Sequence, residues 1–132
     1  MTKSILKDSG AREHFKTGSQ RDVRVGKGRY DLIPPAPLFR LARIYEDGAV
    51  KYEDNNWQKG QPLSRYVDSA ERHLKKWRMG EHDEDHLAQC SWNLFALMWT
   101  EAAIAAGMLP KELDDIPVSP PPYGDHFKPD VE

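Results

Sequence analysis

The sequence predicts an all-α protein, a compact bundle of three to four helices between extended N- and C-terminal arms. Three observations carry this. Nine of the ten prolines lie at or before Pro37 or at or after Pro110, and only Pro62 falls between. Proline inside a helix costs roughly 3 kcal/mol, so the middle of the chain is left free for long helices. Within that middle, apolar residues recur every three to four positions over three stretches. The second and third stretches each run into a glycine, Gly80 and Gly107, the residue that best adopts the left-handed turn closing a helix.

The first helix is expected to begin at Pro35–Pro37, where proline suits an early helical turn. Its stripe is Leu38, Leu41, Ala42, Tyr45, Ala49 and Tyr52, and Asp54-Asn55-Asn56 ends it. Glu46 falls on this stripe by spacing, so its carboxylate is paired, metal-bound or at the rim. The second helix runs from Pro62 or Ser64 to Arg78 on the stripe Leu63, Tyr66, Val67, Ala70, Leu74 and Trp77, with His73 on the same side. A core histidine and a functional one are both open there. The third helix runs from Asp83 or Asp85 to Ala106, with acidic residues at its positive N-terminal end. It is apolar nearly all round, which two helices of this size do not cover; an oligomer or a fourth helix is expected. His86, Gln89, Asn93 and Thr100 form a narrow polar seam along it. That seam is either a structural polar network or a ligand site.

Residues 1–20 read as a flexible basic segment, 21–110 as the helical domain and 111–132 as a proline-rich acidic tail. Charge follows this division. Residues 1–33 carry eight basic and four acidic side chains, and 111–132 carry two and six, although the whole chain is only −2. So small a net charge selects neither nucleic acid nor a membrane as partner. No apolar run reaches the ~18 residues of a membrane span. The single cysteine, Cys90, excludes an intrachain disulfide and a cysteine-based zinc cage.

Three segments offer chemistry. Gly26-Lys27-Gly28-Arg29-Tyr30-Asp31 combines flexible backbone with two cations suited to phosphate, as Lys27 and Arg29 would be, and is otherwise a surface turn. Asn55-Asn56-Trp57 with Lys59-Gly60 supplies amides, an aromatic face and a cation that suit a nucleobase, or a helix-ending loop with a packing tryptophan. His82-Asp83-Glu84-Asp85-His86 has the residue types of a divalent-metal site, and with His73 it imitates part of the order of an HD-type phosphohydrolase. The same segment also holds the N-cap candidates of the third helix.

Several of these residues occur together in one known family. Gly26 through Pro35, Tyr45-Glu46-Asp47-Gly48-Ala49, Lys51-Tyr52, Asn56-Trp57, Gly60, Arg72-His73-Leu74, Asp85-His86-Leu87-Ala88 and Trp92-Asn93-Leu94 resemble the N-terminal domain of phage dATP/dGTP diphosphohydrolases, over about residues 15–107. The resemblance implies a helical, distantly MazG-like protein that hydrolyses purine deoxynucleoside triphosphates to monophosphate and pyrophosphate with Mg²⁺ (or Mn²⁺). It further implies a phage-encoded protein of the bacterial cytoplasm that shapes the nucleotide pool. On this reading Glu46 and Asp85 hold the metal, and Glu46, His73, His86 and Asn93 form the catalytic set. Lys27, Arg29, Lys51, Asn56, Trp57, Lys59 and Arg72 hold the nucleotide.

The sequence departs from the MazG pattern of four carboxylates. With Glu46 in the first place Ala49 takes the second, and with Asn93 in the last Cys90 takes the third. A nucleotide-binding or signal-sequestering phage protein without catalysis is therefore the alternative, and a structural oligomer the third reading.

Overall fold

The computed structural model describes residues 4–117, and the run Pro120-Pro121-Pro122 lies outside them. The chain divides into two units, residues 1–34 and 35–132. The second unit holds three α-helices: α1 (Pro35–Lys51), α2 (Leu63–Arg78) and α3 (His86–Ala105). The three expected helices are present within a few residues of their expected ends.

The first unit contains the element the sequence reading lacks. Strand β1 (Arg12–His14) pairs antiparallel with β2 (Gln20–Asp22), in the register Arg12 to Asp22. Three-residue strands are too short for an alternating pattern to stand out. Side chains fix this hairpin. Asp22 accepts from Ser9 and from Lys27 Nζ at 3.0 Å, and these bonds hold its carboxyl down to about 2. The Arg29 guanidinium binds both oxygens of Asp31 at 2.8 Å. Lys27 and Arg29, expected on phosphate, thus each pair with a carboxylate of their own unit.

Pro35 opens α1 because a missing N–H costs nothing in the first helical turn. Its buried side is Leu41, Ile44, Tyr45, Gly48 and Ala49, whereas Ala42 and Tyr52 are exposed. The expected stripe is therefore rotated, and Glu46 is exposed rather than on the packed face. After α1, Asn55 takes φ 59°, a left-handed conformation that asparagine tolerates better than most residues. Gly60, at φ 83°, lies where an added Cβ would meet Leu109 and Leu113 at 2.9 Å. The chain beyond α3 thus folds back onto this loop.

Helix α2 begins just after Pro62, which offers no capping side chain. Asp115, 51 residues away, does that work: it accepts from Ser64 N at 2.9 Å and from Ser64 Oγ at 2.5 Å. The start of the acidic tail therefore belongs to the helical unit. Both later helices close with the paired bonds expected at a glycine, Glu81 N to Lys76 O with Gly80 N to Trp77 O, and Met108 N to Ala103 O with Gly107 N to Ile104 O.

Helix α3 starts on Asp85, whose carboxylate accepts from Ala88 N at 3.2 Å and also binds Arg40 of α1 at 2.6 and 2.8 Å. One side chain thus caps α3 and ties it to α1. The residues α3 buries are small or polar: His86, Ala88, Asn93, Ala96, Thr100 and Ala103, the last four spaced by three and four. The core around it is Leu63 and Tyr66 of α2 with Ala96, packed by Trp92, Leu97 and Ile104. Leu94, Phe95 and Met98 on α3 remain about half exposed, so the expected burial on most sides is not met within one chain.

Asp85→Ala is expected to cost about 1–2 kcal/mol in urea unfolding, because it removes a cap. Asp85→Asn should recover most of that loss, since an amide oxygen still caps; an equal loss would make the Arg40 pair the dominant contribution.

Candidate functional site

The three helices and the loop after α1 enclose a cleft of about 760 Å³, lined by residues of the helical unit. The C-terminal half of α1 supplies Tyr45, Asp47 and Lys51, and the loop supplies Glu53, Asp54, Asn55, Asn56 and Trp57. Helix α2 contributes Arg65, Asp68, Ser69, Arg72 and His73, one polar stripe at helical spacing. Helix α3 contributes Gln89, Trp92 and Asn93, and Glu84 stands just before it.

Aromatic contacts set the position of the loop. Trp57 packs edge-on against Trp99 of α3 at 4.9 Å and against Tyr45 of α1 at 6.3 Å. Trp92 lies 6.1 Å from Tyr45 and 6.3 Å from Tyr66. Trp57 therefore both packs the loop and lines the cleft. Such pairs contribute roughly 0.5–1.5 kcal/mol beyond their buried area. Burial raises the Tyr45 hydroxyl above its usual pKa, which keeps it neutral beside the cleft.

At one end of the cleft the polar seam meets α2. Asn93 is buried and donates to Ser69 Oγ at 3.2 Å and to Gln89 O at 2.8 Å, joining the two helices. His73 Nδ1 faces His86 Nδ1 at 3.0 Å, and His86 Nε2 lies 2.8 Å from Asp83 Oδ1. This chain fixes the tautomers of the neutral rings. A carboxylate only accepts, so His86 donates through Nε2–H and leaves its Nδ1 bare; His73 then donates Nδ1–H to it. The seam is thus a structural network that also opens on a cleft. Among the described residues, Tyr66 Oη and Thr100 Oγ1, buried in the core, find no hydrogen-bond partner.

Of the expected site residues, Lys51, Asn56, Trp57, Arg72, His73 and Asn93 line the cleft, and His86 backs it through His73. Glu46, Lys59 and Asp85 do not line it. Glu46 lies on the exposed side of α1, one residue from Asp47, which does face the cleft. Lys59 pairs with Glu53. Both Asp85 oxygens are engaged by Arg40, and hydrogen bonding from that guanidinium holds the carboxyl below 3.8. The expected metal pair Glu46 and Asp85 is therefore not brought together. Asp47, Arg65, Asp68 and Glu84 are absent from the expected set. The spacing of Arg65, Asp68, Ser69, Arg72 and His73 was the signal for two of them.

The expected ligands Glu46 and Asp85 do not make a magnesium site; the carboxylates that line the cleft are Asp47, Glu53, Asp54, Asp68 and Glu84. Mg²⁺ demands oxygen ligands at ~2.0–2.1 Å in octahedral array. Asp68 is paired with Arg72 at 2.8 Å, and Glu53 with Lys59. Among the described residues, the group of three metal-binding side chains whose ligand atoms converge is His73, Glu84 and His86, two-thirds nitrogen.

The cleft of this three-helix unit combines aromatic faces and amides with the cations Lys51, Arg65 and Arg72 and the carboxylates Asp47, Glu53, Asp54, Asp68 and Glu84. The chain is a member of the family described as dATP/dGTP diphosphohydrolase, N-terminal, whose model matches residues 17–108, more than two thirds of its length. No curated protein and no solved structure matches it. Among the described residues no helix is long and apolar enough to cross a membrane.

Burial, and next to it the neighbouring His86, lowers the His73 pKa below 6.5; Arg72 and Lys76 act in the same direction and Glu84 against it. The folded state then resists protonation more than the unfolded chain does. Stability is full above pH 6.5 and falls as the pH drops from there through the lowered value. The melting temperature should decline between pH 7 and 5, and His73→Gln should flatten that decline; an unchanged slope would locate the titration elsewhere.

Proposed function

We propose that the cleft binds a purine deoxynucleoside triphosphate and that the chain hydrolyses it to monophosphate and pyrophosphate. The observation that carries this is the meeting, in one cleft of about 760 Å³, of aromatic faces, amides and cations with membership of a family of that description. Each group answers one part of the ligand. Trp57 and Trp92 offer surfaces for a base, and stacking of this kind is worth ~1–3 kcal/mol. Asn55 and Asn56 carry donors and acceptors for a purine edge. Arg65 and Lys51 neutralise the phosphates, joined by Arg72 when it exchanges Asp68 for a phosphate oxygen. In the reaction a water oxygen bonds to the α-phosphorus and loses a proton to solvent, the bond between the α-phosphorus and the bridging oxygen breaks, and pyrophosphate leaves with that oxygen. Such substrates belong to the cytoplasm, and a phage-encoded chain of this kind would adjust the host's nucleotide pool.

A second reading, nucleotide binding without turnover, is favoured by one feature. The expected metal ligands Glu46 and Asp85 stand outside the cleft, and two of the five carboxylates that line it, Asp68 and Glu53, are paired with cations. We also retain self-association: the half-exposed Leu94, Phe95 and Met98 form one face of α3 that a second chain would cover. Sedimentation should give a dimer or larger species that Phe95→Glu dissociates. A wild-type monomer at micromolar concentration removes this proposal.

Each dNTP, incubated with Mg²⁺ or Mn²⁺ and resolved by chromatography, should show purine substrates converted to monophosphate. Arg72→Ala and Asn56→Ala should each weaken calorimetric binding roughly tenfold or more, at ~1–3 kcal/mol per lost contact. Binding without product selects the second reading, and neither binding nor product with any nucleotide overturns both.

A further inference from the structure

We propose that His73, His86 and Glu84 form a site for a borderline divalent transition-metal ion of the Zn²⁺ or Co²⁺ class, with Asp83 orienting His86 from behind. The proposal concerns these side chains alone and does not rest on the nucleotide reading.

The two Nδ1 atoms face each other at 3.0 Å, and ligand atoms of all three side chains lie within 4.8 Å of one another. A metal–nitrogen bond of ~2.0–2.1 Å turns a 3.0 Å nitrogen separation into an angle of about 90–95° at the ion. That suits two adjacent positions of a five- or six-coordinate ion, and a few tenths of an ångström of opening reaches the tetrahedral angle. The imidazoles also need little rearrangement of protons. His86 already keeps its proton on Nε2, where Asp83 Oδ1 accepts it at 2.8 Å. This carboxylate–histidine arrangement fixes the tautomer and ring plane of metal-bound histidines generally. His73 has only to move its proton from Nδ1 to Nε2.

Position favours an ion as well. His86 is 2% exposed and His73 9% exposed, so both rings are held by packing before any ion arrives. Glu84 is exposed, and among the described residues its carboxylate accepts from Gln89 Nε2 alone, at 3.3 Å, so an inward swing of about 1–2 Å completes the set. His73 and Glu84 both line the cleft, which leaves the remaining coordination positions open to water or a ligand oxygen. Two imidazoles and one carboxylate select the later first-row divalent ions over Mg²⁺.

The test uses the full-length chain, stripped with chelator and titrated with Co²⁺ in the absence of nucleotide, with visible absorption and circular dichroism as readouts. One equivalent should bind, give d–d bands, and resist a large excess of Mg²⁺. Asp83→Asn should weaken binding 10–100-fold, as outer-shell partners of metal-bound histidine do. Glu84→Gln should weaken it tenfold or more, and His73→Gln should abolish it. Because His86 is deeply buried, the exposed Asp83 and Glu84 variants keep the test valid where a histidine variant fails to fold. Absence of Co²⁺ binding by the wild type overturns the proposal. So does binding that Asp83→Asn and Glu84→Gln leave unchanged. Metal binding with no nucleotide affinity would overturn the nucleotide reading and leave this one standing.

Discussion

The architecture depends on α3 turning a polar seam, not its largest apolar side chains, toward α2. His86, Asn93 and Thr100 are buried on that seam, interleaved with Ala96 and Ala103. Small residues let the two helices approach closely, and the polar ones then require partners across the contact, because an unpaired buried group costs ~1–3 kcal/mol. Ser69 and His73 supply them for two of the three, at 3.2 Å to Asn93 and 3.0 Å to His86. The register of α2 against α3 is thereby fixed by hydrogen bonds of defined length, where an all-leucine contact would slide. The cleft inherits this register, since the same turns of α2 carry Arg65, Asp68 and Arg72.

Two carboxylates join the ends of the elements that frame the cleft. Asp85 caps α3 and binds Arg40 of α1, so the start of one helix is tied to the side of another. Asp115 caps α2 from beyond α3, so the return of the chain closes the unit. Gly60 makes that closure possible by leaving room for Leu109 and Leu113. The loop between α1 and α2 is thus held from below by Trp99, through Trp57, and from the side by the returning segment.

The helices were legible in the sequence because proline, glycine and period agree at their ends. Gly80 and Gly107 mark closures that the hydrogen bonds bear out. The phase of α1 was not legible. Alanine and tyrosine serve equally inside and at the rim, so Ala42 and Tyr52 misdirected the stripe and put Glu46 on it, whereas Asp47 is the acidic residue of α1 that lines the cleft. The polar seam of α3 stood out, but whether it faced solvent, a ligand or α2 depends on where Ser69 and His73 lie, which no local pattern states. Asp85 shows the same limit: its place before α3 marks a cap, while Arg40, 45 residues earlier, is supplied only by tertiary packing. The hairpin at Arg12–Asp22 rests on side-chain bonds to Asp22 in strands too short for periodicity.

The central claim is that a purine nucleotide occupies the cleft between α1, the loop and α2. Chemical-shift mapping of the tryptophan indole N–H signals on adding dGTP or dATP tests it most directly. The account predicts that Trp57 and Trp92, which line the cleft, shift in a saturable way while Trp77, which does not, stays in place. Unmoved Trp57 and Trp92 signals at saturating nucleotide, or shifts confined to Trp77, would contradict it.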